Sequence, residues 1–506
     1  MDRLLRLDAT TSAQPRTLMV SSFVSGSATS AKLGNYGYSY DFVRRAFQPL
    51  LKRWAEVVHV GRPESQLDFA LRRARQSGHE PIALSFRPLA DVYLSRWAAN
   101  VVFPFWEFPD IPACDYKQNP RQNWVRIANH ASLVLTASEF TAAAFARAGV
   151  RTPVRVVPVP IDDGYFRLPA WEPSGTTVLN CDAFVFTRPE VPPLESIDYE
   201  LRPGADTLAF RLKTRTTATL RRAWIAGVKP LLPPRLAKAL VAAKNAGRCA
   251  WREGETQLPE PVKRLELSGV VFTTIFNPDD HRKNWQDLLT AFLMALADRD
   301  DATPVVKLVT SHAPPVREVL AFYHQIALPH RCRVVFINDH LSDQAMRDLA
   351  RASAFYLNAS RAEGACLPLQ DYLAAGRPGI APDHTAMADY FDERVGFVVD
   401  SHPEPCPWPA DGSGRLNTSW NRIVWSSLRD QIAKGYAVAT RDRSGYQALA
   451  AAARHRMTEW ASAEAVWPRL SAALAELAPL PDSDCPGRHN GQSGVFAYQG
   501  AGKGSG

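Results

Sequence analysis

Between Ser360 and Pro378 the chain reads SRAEGACLPLQDYLAAGRP, an order of residue types suited to handling an anion. The apolar run AFYLNAS delivers Glu363 and Gly364 into a short loop, Pro368 suits the first turn of a helix, and Gly376 is placed to end it. Backbone amides ahead of a helix N-terminus, with the positive end of the helix dipole behind them, can hold a phosphate. Glu363 and Asp371 flank that turn with carboxylates that accept hydrogen bonds from hydroxyls. A nucleotide-sugar presents both kinds of group. The competing reading is that two acids near a helix start only complement its dipole. A second stretch, Phe272 to Trp285 (FTTIFNPDDHRKNW), reads as strand, loop and helix, and sets Arg282 beside Lys283 at the helix start. Cations there oppose the helix dipole, so a merely solvated helix end explains them less well than stabilisation of a developing diphosphate charge.

These residues reach a resemblance. Glu363 to Asp371, EGACLPLQD, resembles the E-x7-E signature of retaining family-4 glycosyltransferases, with Asp371 standing for the second Glu. FTTIFNPDDHRKNW is similar to the same family's G-R-L-x-x-x-K-N segment. Lys283 falls on the family lysine, Asn277 stands about where the arginine is expected, and Arg282 is the nearest substitute cation. LVLTASEFTAAAF and VRVVPVPIDDGYF resemble two further segments that mark the end of the family's acceptor domain, and Ser138 in the first is a helix N-cap.

The resemblance implies the glycosyltransferase B (GT-B) architecture, with two Rossmann-like domains facing a central cleft. It implies transfer of a sugar from a nucleotide-sugar donor to a hydroxyl of a saccharide or lipid-linked saccharide acceptor, in surface polysaccharide or glycan assembly. The anomeric configuration is retained by front-face attack, the leaving diphosphate helping to take the acceptor proton. Under it Lys283 and Arg282 stabilise the leaving group, with Asn277 on the same loop. Glu363 touches donor-sugar hydroxyls, Asp371 the ribose, and the amides of Ala365, Cys366 and Leu367, after Gly364, approach the diphosphate. Gly34 and Asn35 lie in the loop after the first strand, where the family places a glycine-rich turn near donor and acceptor; simple turn formation is the alternative. Trp106 and Glu107 occupy the place of a family strand-end His. There they either stack on and hydrogen-bond an acceptor sugar or are a core Trp beside a surface Glu. The rival from another class is a non-catalytic protein of this fold serving as a scaffold or membrane-binding protein, motivated by Asn277 and Asp371.

The elements that must position these residues follow a β/α rhythm. Apolar runs at Thr17 to Phe23, Val57 to Val60, Ile82 to Phe86, Asn100 to Phe105, Ser132 to Thr136 and Arg155 to Val159 alternate with helical stretches such as Glu139 to Ala148. This predicts an N-terminal Rossmann-like domain over 1–170. A second series, from Val270 to Ile275 through Gly379 to Ala381, predicts a C-terminal Rossmann-like domain with terminal helices over 266–480, its first helix carrying Trp285, Leu288, Leu289, Phe292 and Leu296 at helical spacing. Residues 171–265 read as a basic insertion and 481–506 as a disordered tail.

Composition narrows the class. The chain has 506 residues, 46% of them hydrophobic and 22% charged, which fits folded domains and excludes a small binding module or a fibrous chain. Its seven cysteines form no C-x-x-C pair, so the pattern encodes neither a disulfide framework nor a zinc ribbon. The scattered cysteines read as those of a reducing compartment and no apolar run reaches membrane-span length, which together predict a cytoplasmic protein, soluble or peripheral to the inner face of a membrane. Net charge is +8, yet Ala209 to Arg252 alone holds eleven Lys or Arg and no acid. That run is either an anionic-membrane contact or a solvated cationic face, and with no nucleic-acid motif beside it no nucleic-acid partner is expected. No His/Cys cluster has ligand spacing, so neither a metal nor a cofactor is expected; Asp279 and Asp280, with Asp298 and Asp300, read as loop acids, and His130 as a helix-surface residue.

Overall fold

The computed structural model describes residues 15–22, 39–116, 119–188, 260–408 and 416–477. Gly34, Asn35, the basic run 209–252 and the tail 481–506 lie outside the described residues. The chain divides into two compact units, one of residues 1–170, 358–424 and 444–506, the other of residues 171–357 and 425–443.

The first unit opens with β1 (Arg16–Ser22), β2 (Glu56–His59), β3 (Glu80–Phe86), β4 (Ala99–Val102), β5 (Leu133–Thr136) and β6 (Val154–Val156). They form one parallel sheet in the order β2-β1-β3-β4-β5-β6. A parallel sheet needs cover on both faces, which is why the inner strands β1, β3, β4 and β5 are largely apolar and buried. On one face helix Ser39–Trp54 sets Val43, Phe47 and Leu51 against Leu18, Leu84 and Val101, and helix Ala463–Ala475 adds Val466, Leu470 and Leu474 to the same core. On the other, Leu67 and Leu71 of helix Pro63–Gln76 cover Met19 and Ala83. Ser138 caps helix Glu139–Arg147 by accepting the Thr141 amide at 3.2 Å, as its place before the apolar stripe requires.

The second unit holds β7 (Thr177–Arg188), β8 (Val262–Leu267), β9 (Val270–Phe276), β10 (Ala302–Leu308), β11 (His330–Ile337) and β12 (Phe355–Leu357). Strands β12, β9, β10 and β11 are parallel neighbours in that order, and β7 and β8 continue the sheet antiparallel. Both antiparallel strands come from the ends of the stretch read as an insertion. Leu179, Cys181 and Ala183 alternate inward on β7 against Leu265 and Val335, the period of two that pins a half-buried strand. Helix Trp285–Leu296 buries the apolar stripe expected of it.

The parallel pair β13 (Gly379–Ala381) and β14 (Gly396–Val398) extends the second sheet past β12, giving eight strands in the order β14-β13-β12-β9-β10-β11-β7-β8, and the hairpin β15 (Ser401–Pro407) and β16 (Asn417–Ile423) follows. The protein is α/β, with two Rossmann-like sheets, the second mixed, and a C-terminal helical region formed by Trp425–Arg441, Arg443–Ala461 and Ala463–Ala475.

Candidate functional site

The turn that carries Glu363 is fixed from several sides. Asn358 donates its backbone N–H to the Ile380 carbonyl at 2.9 Å, and its side-chain oxygen accepts the Ser360 amide at 2.8 Å. Its Nδ2 reaches Glu363 Oε1 at 3.4 Å and Cys366 Sγ at 3.1 Å. Glu363 is only 4% exposed; its N–H donates to Thr385 Oγ1 at 3.0 Å and its carbonyl accepts the Ala386 amide at 3.2 Å. Cys366 follows in the left-handed region, φ 54°, and turns the chain into helix Leu367–Ala374, with Pro368 in its first turn. The Leu369 and Gln370 amides are taken by the Cys366 carbonyl, and the Ala365 carbonyl accepts from both Gln370 Nε2 and Tyr390 Oη at 2.8 Å. Asp371 sits half-buried on this helix. The turn is a rigid mount for one buried carboxylate.

Gly364 shows why that position is small. A Cβ there would stand 3.2 to 3.4 Å from the backbone O, N and C of Trp106. Loop 358–366 and the segment after β4 are thus packed backbone to backbone, and Ala362 joins the same apolar cluster as Trp106. Trp106 itself is 8% exposed, with ring centroids of Trp124 at 4.6 Å and Trp408 at 5.1 Å; its Nε1 donates to the Asp110 carbonyl and its own carbonyl accepts Thr141 Oγ1 at 2.8 Å. Its ring is a core side chain of this unit. Glu107, next along, is half-buried.

Two residues beside Glu363 have no counterpart in the sequence reading. His384 and Thr385 follow β13, and Thr385 holds φ 52°, a conformation that β-branched side chains avoid. Thr385 Oγ1 donates to the His384 carbonyl at 2.7 Å and lies 3.3 Å from His384 Nδ1. His384 Nε2 is shielded from solvent and has no hydrogen-bond partner among the described residues. Burial pulls its pKa down to about 4, with the Glu363 carboxylate pulling back only in part, so the ring is neutral at physiological pH. Five residues on, burial lifts Asp389 to about 6, although its carboxylate accepts the Glu139 amide at 2.8 Å. A lone polar residue just past a parallel strand's carboxyl end was the available signal, since α/β folds bind ligands there.

In the second unit the turn after β9 gathers Asn277, Arg282 and Lys283. Asn277 shapes the turn, its Oδ1 accepting the Asp279 amide at 3.1 Å and its carbonyl the Asp280 amide at 3.1 Å. The expectation that Asp280 is a solvated loop acid gives way to a specific role. Its carboxylate caps the single 3-10 turn His281–Lys283 and holds the Arg282 guanidinium at 2.6 Å. Arg282 is therefore charge-compensated, and Lys283 is the half-buried cation next to it. Asn284, at φ 49°, then starts helix Trp285–Leu296. Strands β9 and β12 are hydrogen-bonded neighbours, and the chain runs from β9 to β10 and β11 on one side before crossing back to β12 on the other. That is a topological switch point, where open α/β sheets take ligands at the strand carboxyl ends.

Lys307, on β10, also went unnoticed in the sequence. It is buried, donates to the Leu308 carbonyl at 3.0 Å, and burial lowers its pKa to about 8 against the pull of Asp339. Among the described residues no group of three His, Cys, Asp or Glu is arranged to hold a metal, and no helix is long and apolar enough to cross a membrane.

No family model and no curated protein matches the sequence. Among solved structures, Anabaena HepE in complex with UDP-glucose is similar at 13% identity and TM-score 0.46, over 91% of this chain and 100% of that one. A glycosyltransferase from Rickettsia africae is similar at 10% identity and TM-score 0.48, over 92% and 100%. Sucrose-phosphate synthase from Thermosynechococcus elongatus is similar at 12% identity and TM-score 0.49, over 91% and 98%.

Proposed function

We propose that the chain is a retaining glycosyltransferase of GT-B architecture that moves a hexosyl group from a nucleotide-sugar donor to a saccharide or lipid-linked saccharide acceptor in glycan assembly. The observation that carries this reading is Glu363: a buried carboxylate, on a turn held by Asn358, Thr385 and Ala386, directly ahead of a helix N-terminus. Burying a carboxylate is costly, and a rigid mount for one is expected where it must meet hydroxyls in one orientation. The resemblance of EGACLPLQD to the family-4 signature agrees with this role.

In this reading Glu363 orients the donor sugar and Asp371 the ribose, while the amides of Ala365 to Leu367 approach the diphosphate. Lys283 opposes the charge that grows as the sugar–phosphate bond breaks. Arg282 contributes less than a free guanidinium would, because Asp280 already offsets it. The acceptor hydroxyl attacks the anomeric carbon from the face the diphosphate leaves, and its proton passes to that diphosphate.

The test is a thermal-shift and hydrolysis screen against UDP-, GDP-, ADP- and TDP-sugars with the wild type, Glu363→Ala and Lys283→Ala. One donor should stabilise the wild type and be hydrolysed slowly. Turnover should fall by roughly a hundredfold or more in Lys283→Ala, on the scale of a lost oxyanion donor. Stabilisation by no nucleotide-sugar would reject the reading in favour of a non-catalytic scaffold.

A further inference from the structure

The outer face of helix Pro63–Gln76 gathers exposed arginines around one exposed aromatic ring. Its inner positions Pro63, Leu67 and Leu71 are buried in the core. The exposed positions Arg62, Ser65, Gln66, Phe69, Arg72, Arg73 and Gln76 recur at helical spacing along the opposite side. Phe69 is 65% exposed, the highest value among the exposed large hydrophobic residues described. A single exposed apolar side chain is ordinary. Its setting is not.

The charges around it are segregated. Residues 62–97 hold four acids, each with a partner: Glu64, itself exposed, to Arg87, Asp68 to Tyr93 Oη at 2.9 Å and Ser95 Oγ at 2.6 Å, Glu80 to Arg16 at 3.0 Å, and Asp91 facing Arg87. That leaves Arg62, Arg72, Arg73 and Arg96, all exposed, with no carboxylate in ion-pair reach among the described residues. Arg72 and Arg96 both lie 5.4 Å from the centroid of the half-buried Trp97 ring, which ties the helix face to the next loop as one surface. The result is a cationic face with an aromatic tip and an indole at its edge.

We infer that this face docks on an anionic lipid bilayer. Clustered cations, here Arg62 at the helix cap, Arg72 and Arg73 on the helix and Arg96 on the next loop, are attracted to anionic headgroups, while Phe69 and Trp97 have the amphipathic or apolar character that favours the headgroup boundary. A phosphodiester polymer would use the cations but leave Phe69 without a role, so the aromatic tip selects the bilayer. The surface shares no residue with the basic run 209–252 or with the proposed donor residues, so it stands whether or not the glycosyltransferase reading holds.

The test is co-sedimentation of the full chain with phosphatidylcholine vesicles, with and without about one quarter phosphatidylglycerol, at low and high salt. The wild type should partition to the anionic vesicles at low salt and leave them at high salt. The triple variant Arg62→Ala, Arg72→Ala, Arg73→Ala should lose roughly a hundredfold in partitioning, about fivefold per cation, and Phe69→Ser roughly tenfold. A triple Lys variant should bind like the wild type, which separates charge from fold. Absence of wild-type binding, or a triple Ala variant that sediments like the wild type, overturns the assignment. So does loss of binding to a DNA duplex in the triple Ala variant with vesicle binding unchanged, which would give the face to nucleic acid.

Discussion

Replacing His384 by leucine should make stability respond to pH in a way that exposes the buried imidazole. Its pKa falls from 6.5 in the unfolded chain to about 4 in the folded one, mainly by burial. Well above pH 6.5 the ring is neutral in both states and its titration contributes nothing. Between those values the unfolded chain binds a proton that the folded chain refuses. Stability is therefore full above 6.5 and falls with pH by about 1.4 kcal/mol per unit through the window, about 2 kcal/mol by pH 5. Asp389 works in the opposite sense: its pKa rises from 3.8 to about 6 on folding, so its contribution is full at low pH and is lost as pH rises through 6. The two effects oppose each other in the wild type, and the variant separates them. Urea unfolding of the wild type and His384→Leu, at a pH above 7 and near pH 5, measures the gap. The starting gap combines relief of the unpartnered Nε2 with loss of the 3.3 Å contact to Thr385 Oγ1. Whatever its value, it should shift by about 2 kcal/mol in favour of leucine at the lower pH. A gap that does not move between the two conditions would refute the account of a desolvated, neutral ring.

Gly364→Ala should cost about 1–3 kcal/mol, because the new Cβ would press at 3.2 to 3.4 Å on the Trp106 backbone, which the Thr141 bond and the buried indole keep from retreating. Thermal melting reads this, and an unchanged midpoint would mean the two loops are not in contact. Lys307→Met should stabilise the protein by about 1–3 kcal/mol at neutral pH, since the variant need not bury a charge. The Lys307 pKa falls from 10.5 to about 8 on folding, so the wild type recovers stability as pH climbs across that window and the advantage of methionine should shrink there. An advantage constant from neutral to alkaline pH would show that the ammonium is not desolvated.

The parts of this fold that were legible are those whose signal is local. The stripe Trp285, Leu288, Leu289, Phe292 and Leu296 buries as its spacing requires, and the parallel strands other than β14 lie where apolar runs were found, because a strand covered on both faces leaves its own mark in composition. Strands β7 and β8 were not legible: their alternation is that of any half-exposed strand, and they pair across residues 189–261, a separation that no short window registers. The hairpin of β15 and β16 was hidden for another reason. Its first strand carries Pro403, Pro405 and Pro407, a composition that argues against a strand unless it is an edge, and among the described residues β15 pairs only with β16.

The site residues divide along the same line. Glu363, Asp371 and Lys283 could be singled out by type and spacing, whereas what surrounds each could not. Trp106 reads identically as a sugar platform or a core ring until Trp124 and Trp408 are seen against it. Arg282 reads as a free cation until Asp280, two residues earlier, folds back onto it across one 3-10 turn. That contact is short in sequence but depends on turn geometry, which residue types only weakly specify. Its consequence is chemical. With Arg282 offset by a carboxylate at 2.6 Å, the loop's proposed contribution to a leaving diphosphate is smaller than two adjacent cations in its sequence suggest, and Lys283→Ala tests the share of the second.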